Sequence, residues 1–286
     1  MEENRSNINW YPGHMVKAQR EIKDSLKLID VVVEILDARI PNSSVNPLVE
    51  KLVQGKKRIV VLNKIDLADT KKIEKWENKF KEEGKSVIRV DATKGTGIKN
   101  IVSEIQKLGK EVYDAKNKKI PNPIFRALII GIPNVGKSTI INKMANKNAA
   151  KVGNKPGVTV KKQWIRLTNN VELLDTPGIL WPNLEDKKAG VNLALTGNIK
   201  QEILDLEELA VEGIKKIKAE PEYLQMLKEK YKLEEDLLEV MDYDIIELIG
   251  RKRGCLISGG RVDMLKASKI FLDELKAGKI GRISFE

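Results

Sequence analysis

Residues Gly131 to Thr139 read GIPNVGKST, satisfying the pattern G-x-x-x-x-G-K-[ST], and they stand between the apolar run RALII and the helix-forming TIINKMA. That context fixes the local structure. A strand feeds a glycine-bearing loop whose backbone N–H groups close around phosphate oxygens, and the next helix turns its positive end toward the same anion. Lys137 is suited to the β- and γ-phosphates and Ser138 to Mg²⁺, with Asn134, Val135, Gly136 and Thr139 completing the cradle. The motif demands a parallel α/β framework, because such a loop works only at the end of a buried strand.

The rest of the chain supplies that framework. VVVEILD (31 to 37), RIVVLN (58 to 63), SVIRVD (86 to 91), RALIIG (126 to 131) and VELLD (171 to 175) are short runs rich in Val, Ile and Leu, as buried parallel strands are. Segments with helical spacing, such as KKIEKWENKFKEEG and IKNIVSEIQKLGKEVYDAK, lie between them. The pattern predicts at least five strands with helices on both faces. After residue 200, ILDLEELAVEGIKKI, EYLQMLKEKY and VDMLKASKIFLDELKAG place apolar residues three and four apart. The expected organisation is an α/β domain over 1–199, its N-terminal segment 1–28 included, and a smaller all-α domain over 200–286.

Three further segments extend the phosphate site. VELLDTPG ends a strand in Asp175, placed to hold Mg²⁺ through water, and turns at Gly178, whose N–H can meet the γ-phosphate. Within GNKPGVT, Thr159 is either a mobile Mg²⁺ ligand or a plain loop threonine. IVVLNKID places Asn63, Lys64 and Asp66 just past a strand and resembles the N-K-x-D guanine-reading motif of GTPases. A carboxylate at Asp66 accepts both N1–H and N2–H₂ of guanine, a pattern adenine lacks, at about 1.5–3 kcal/mol per charge-assisted bond. Asp91, Ala92 and Thr93 either resemble the S-A-K loop whose backbone contacts guanine O6, with Ser replaced by Asp and Lys by Thr, or form a plain strand-to-helix loop. Together these segments select GTP over ATP.

Composition narrows the class. The chain of 286 residues has 52 Lys and Arg against 41 Asp and Glu, a net charge of +11, and one His and one Cys. A single cysteine makes no internal disulfide, and one histidine with one cysteine holds no zinc cluster. No apolar run approaches a membrane span. A cytoplasmic protein without membrane or DNA partners is expected, with no heptad pattern to suggest more than a monomer. The excess positive charge lies before residue 200, apart from a basic stretch in the last forty residues. Lys118, Lys119, Lys151, Lys155, Lys161, Lys162, Arg251, Lys252, Arg253, Lys266, Lys269, Lys276, Lys279 and Arg282 are candidates for phosphate backbones. Few aromatics interleave them, so a structured RNA read by shape fits better than stacking on single strands. Trp10 and Tyr11 suit either RNA stacking or a hydrophobic staple.

In Ras-like GTPases the phosphate motifs precede the base motifs, whereas here the base motifs come first. In that order, with NWYPGHM, DARIP, NKID, GIPNVGKST, PGVT, DTPGIL and the ending SGGRVDMLKASKIFLDELKAGKIGRI, the chain resembles the circularly permuted GTPases of ribosome assembly. KNKKIPNP (116 to 123) is then the joint between the old chain ends. The resemblance implies GTP hydrolysis with GTP/GDP and Mg²⁺, late maturation of the large ribosomal subunit, rRNA contact through the helical tail and stimulation by the particle. An assembly scaffold in which GTP is mainly structural is the alternative. Ile179 occupies the place where Ras-like enzymes carry the water-orienting Gln. Water positioning is therefore assigned either to His14, whose other reading is a helix-start or rRNA-contacting residue, or to K⁺ held at Asn134, whose other reading is a turn residue.

Overall fold

The computed structural model describes residues 23–117, 120–145, 163–175, 186–199 and 204–286. They divide into two compact units, bounded as Met1–Asp37, Ser44–Asn63 and Trp76–Glu185 for the first and Ala38–Ser43, Lys64–Lys75 and Asp186–Glu286 for the second. His14, Thr159, Gly178, Ile179, Trp10, Tyr11, Lys118, Lys119, Lys151, Lys155, Lys161 and Lys162 lie outside the described residues.

The first unit holds a six-stranded sheet in the order β3-β2-β1-β4-β6-β5. Its strands are β1 Val31–Asp37, β2 Lys57–Asn63, β3 Ser86–Val90, β4 Phe125–Ile130, β5 Gln163–Thr168 and β6 Val171–Asp175. All pairs are parallel except β5 with β6. The five runs named from sequence are β1, β2, β3, β4 and β6. The antiparallel edge strand β5 was not foreseen. It lies on the sheet margin and alternates exposed Trp164 with buried Ile165, so it has no continuous apolar run to detect.

Side-chain alternation sorts the sheet into two faces. Val32, Leu128, Ile130 and Leu174 share one face with Leu26, Ile29 and Val53 in a single apolar cluster. Phe125 projects to the opposite face, where Tyr113 meets it edge-on at 5.5 Å between ring centroids. Tyr113 belongs to α4 (Ile98–Ala115), which buries Ile98, Ile101, Ile105 and Leu108 at helical spacing. The shorter helices α2 (Pro47–Leu52) and α5 (Lys137–Ala145) also belong to this unit, whereas the boundary between the units falls within α1 (Pro41–Ser44) and α3 (Thr70–Glu82).

The central strand β1 also buries a charge. Arg58 is in register with Val32, so Glu34, two residues on, lies on the same face of the sheet. The Arg58 guanidinium pairs with Glu34 and reaches Glu50 at 3.1 Å. Burial raises the Glu34 carboxyl above its ordinary value, against the pull of Arg58.

The second unit is helical, with α6 Lys187–Leu195, α7 Leu206–Lys218, α8 Pro221–Tyr231, α9 Asp242–Lys252 and α10 Met264–Lys276. Asp186, Asp205 and Asp263 cap α6, α7 and α10 by accepting backbone N–H groups, and Pro221 opens α8. Two segments that follow sheet strands, 38–43 and 64–75, belong to this unit by their contacts, and its longest stretch begins at Asp186. The sequence had suggested a single cut at 200. Arg39 shows why segment 38–43 groups with the helices. Its buried guanidinium donates to Thr196 O at 2.8 Å and to Lys276 O at 3.0 Å, closing the C-terminal ends of α6 and α10.

Arg58→Ala is expected to destabilise by about 3–5 kcal/mol, because it leaves Glu34 buried without its cation. A raised carboxyl value means that the folded state keeps its proton where the unfolded chain has lost it, so stability falls as pH rises through that value. Removing Arg58 raises the value further. The loss, measured by urea unfolding, should therefore be larger at about pH 8 than at about pH 5.

Candidate phosphate and nucleotide site

Every motif residue within the described sheet sits at the C-terminal ends of parallel strands, the edge at which open α/β sheets bind ligands. Asn63 ends β2, Asp91 follows β3, Gly131 follows β4 and Asp175 ends β6 in register with Ile129. The phosphate strands β4 and β6 are neighbours, and the base-motif strands β2 and β3 lie on the other flank of β1 although they come earlier in the chain.

In the phosphate loop Asn134 takes a left-handed backbone with φ of 57°. Asn tolerates that conformation better than most side chains, which is one physical reason for it here. Gly136 follows at φ of 104°, and a Cβ there would collide with Asn63 Nδ2. Lys137 and Ser138 open α5, with Ser138 and Thr139 half-buried. The Lys137 ammonium is buried and donates to Gly131 O at 3.0 Å and Ile132 O at 3.3 Å. Burial pushes its pKa down to about 8, with the Asp175 carboxylate pulling the other way. Asp175 is fully buried.

Asn63 ties this loop to the next. Its Nδ2 donates to Val135 O at 2.8 Å, and its Oδ1 accepts from Ala92 N at 3.2 Å. The sequence assigned Asn63 to the base; the structure gives it a bond to each of two loops from a buried position. The Asp91 side chain is engaged within its own loop. Its buried carboxylate accepts from Thr93 N and Lys94 N, each at 2.9 Å, and its carbonyl accepts from Gly95 N at 2.7 Å. The side chain thus builds the turn that carries Ala92. Spacing alone does not separate a side chain that holds a loop from one that meets a ligand.

Lys64 and Asp66 fall in the second unit. Lys64 has φ of 63° and its carbonyl accepts from Leu67 N at 3.0 Å, so a tight turn leads into Asp66, which is exposed.

The hard oxygens of Ser138 and Asp175 suit Mg²⁺, which binds through few protein ligands plus substrate phosphates. Among the described residues no three His, Cys, Asp or Glu side chains converge on an all-protein metal site.

Residues 126–243 match the family model described as 50S ribosome-binding GTPase. The chain is 48% identical over 283 residues to ribosome biogenesis GTPase A of Bacillus cereus, spanning 98% of this chain and 93% of that protein. It is 37% identical to the Thermotoga maritima protein of the same name, with 98% and 94% covered. The chain belongs to the ribosome biogenesis GTPase A family. The solved structure of GNP-bound YlqF from T. maritima superimposes with a TM-score of 0.65 at 33% identity, covering 94% of this chain and 97% of that one. A GDP-bound YlqF gives 0.64 at 32% identity, covering 93% and 98%. Membership of this family makes the chain a GTPase, and bears out the resemblance read from the motif order.

Proposed function

We propose that the chain binds GTP with Mg²⁺, hydrolyses it, and assists late assembly of the large ribosomal subunit by docking on rRNA. The observation that carries this reading is the convergence on one sheet edge of the phosphate loop, Asp175 and the Asn63 tie, in a chain of the ribosome biogenesis GTPase A family.

In this reading Lys137 neutralises β- and γ-phosphate oxygens, and the amides of Asn134, Val135, Gly136, Ser138 and Thr139 cradle them. Ser138 and Asp175 would hold Mg²⁺, Asp175 through water, with Thr159 as a further ligand. Bound Mg²⁺ supplies neutralisation of the charge that develops on the phosphates. Gly178 N–H meets the γ-phosphate. Asp66 reads guanine N1–H and N2–H₂ with Asn63 and Lys64 of the same motif, and the backbone of the loop carrying Asp91 and Ala92 contacts O6. His14 orients water, with K⁺ at Asn134 as the rival device, and both assignments rest on the family resemblance.

The helical unit supplies cations for rRNA. Arg251 bonds Glu247 at 2.6 Å and Arg253 bonds Glu274 at 2.6 Å, so these two are balanced locally. Lys252, Lys266 and Lys269 are exposed and better suited to phosphate backbones. Among the described residues no helix is long and apolar enough to cross a membrane.

Hydrolysis measured in potassium buffer tests the reading, with large subunits added and with ATP and small subunits as controls. GTP-specific stimulation by the large subunit alone is expected. Tight GTP binding without stimulation favours the scaffold, in which GTP is mainly structural. Lys137 generates a pH dependence. Phosphates favour its charged form, so the complex keeps the proton that the free protein begins to lose near pH 8. Affinity for GDP should therefore weaken as pH rises above that value, by up to about tenfold per pH unit, with proton uptake on binding visible by calorimetry in buffers of different ionisation heat. Lys137→Met should bind weakly and with a flat profile.

A further inference from the structure

The loop carrying Asp66 is held on both sides by the last residues of the chain. Arg282 Nη2 donates to Ile65 O and Arg282 Nε to Ala68 O, each at 2.8 Å. Ile283 N donates to Leu67 O at 3.2 Å, and Ser284 Oγ accepts from Asp69 N at 3.0 Å. Tyr223, on α8, donates its hydroxyl to Asp69 Oδ2 at 2.7 Å while Asp69 Oδ1 accepts from Lys71 N at the start of α3. The backbone groups flanking Asp66 are thus bonded on each side, and Asp66 itself is left exposed.

The packing is equally close. Ile283, Ser284 and Ala68 are buried. Gly278, at φ of 68°, approaches Leu67 so nearly that a Cβ would lie 2.7 Å from its Cδ2. A carboxylate that accepts two N–H groups of one base must be aimed as well as present, since bidentate bonds lose strength quickly when misaligned. Asp66 sits on a turn with a left-handed residue, Lys64, and no regular structure of its own to aim it.

We propose that Arg282, with Ser284 and Tyr223, is a positioning element for guanine specificity, holding the 65–69 loop so that the Asp66 carboxylate is preorganised for the base. This rests on the reading of Asp66 given above. Arg282 does not touch the nucleotide in this scheme; it acts through the two carbonyls on either side of Asp66.

The test is the ratio of affinities for GDP and IDP, which differ only in the N2 amine that a carboxylate at Asp66 recognises. The full chain is titrated in Mg²⁺ with each nucleotide, for wild type, Arg282→Ala, Arg282→Lys, Tyr223→Phe and Asp66→Ala. Arg282→Ala should lower the preference for GDP by about tenfold, the equivalent of one charge-assisted bond. Arg282→Lys should recover part of it, and Tyr223→Phe, which removes a single hydroxyl, should lower it less. A merely structural role would weaken both nucleotides equally and leave the ratio unchanged. An unchanged ratio in Arg282→Ala and Tyr223→Phe, with the preference lost in Asp66→Ala, overturns the positioning role alone. An unchanged ratio in Asp66→Ala overturns the base reading itself, and this inference with it.

Discussion

A primary amide makes the connection on which the nucleotide site depends. Asn63 is buried at the end of β2, and its two polar atoms are engaged by Val135 of the phosphate loop and Ala92 of the loop after β3. Both partners are backbone groups, so the tie fixes the loop backbone directly. Gly136 is required beside it because a Cβ would collide with the amide. Losing the side chain strands a buried carbonyl and a buried N–H, at about 1–3 kcal/mol each. The parallel sheet makes this economy possible, because all its motif strands end at one edge.

Chain order matters less than this edge. The base-motif strands come first in the sequence and the phosphate strands later, yet β1 separates the two groups in the sheet as a single structural divider. A parallel sheet tolerates such reordering because each strand is placed by its neighbours, and the join needs only a short surface segment.

Much of the architecture was legible before any coordinates. Five strands could be read because each is short and rich in Val, Ile and Leu, and α7, α8 and α10 because their apolar residues repeat at three and four. The edge strand β5, QWIRLT, was not, since polar Gln163, Arg166 and Thr168 interrupt its apolar residues. The assignment of segments 38–43 and 64–75 to the helical unit was also invisible, because it depends on partners over a hundred residues away, such as Arg39 with Thr196. At the site, the phosphate loop and Asp175 fell where their spacing put them. The inward turn of the Asp91 carboxylate did not follow from sequence, because an Asp at a loop start serves ligand and turn equally well. The Asp-for-Ser departure now has a local reason, the two amides of Thr93 and Lys94.

Asn63 couples the phosphate loop to the loop that bears Ala92. Amide hydrogen exchange with and without Mg·GDP, in wild type and Asn63→Ala, measures this directly. In wild type, nucleotide should slow exchange in 131–139 and 91–96 together. In the variant, at saturating nucleotide, slowing should persist in 131–139 and be lost or much reduced in 91–96. Equal slowing of 91–96 in both proteins would contradict the account.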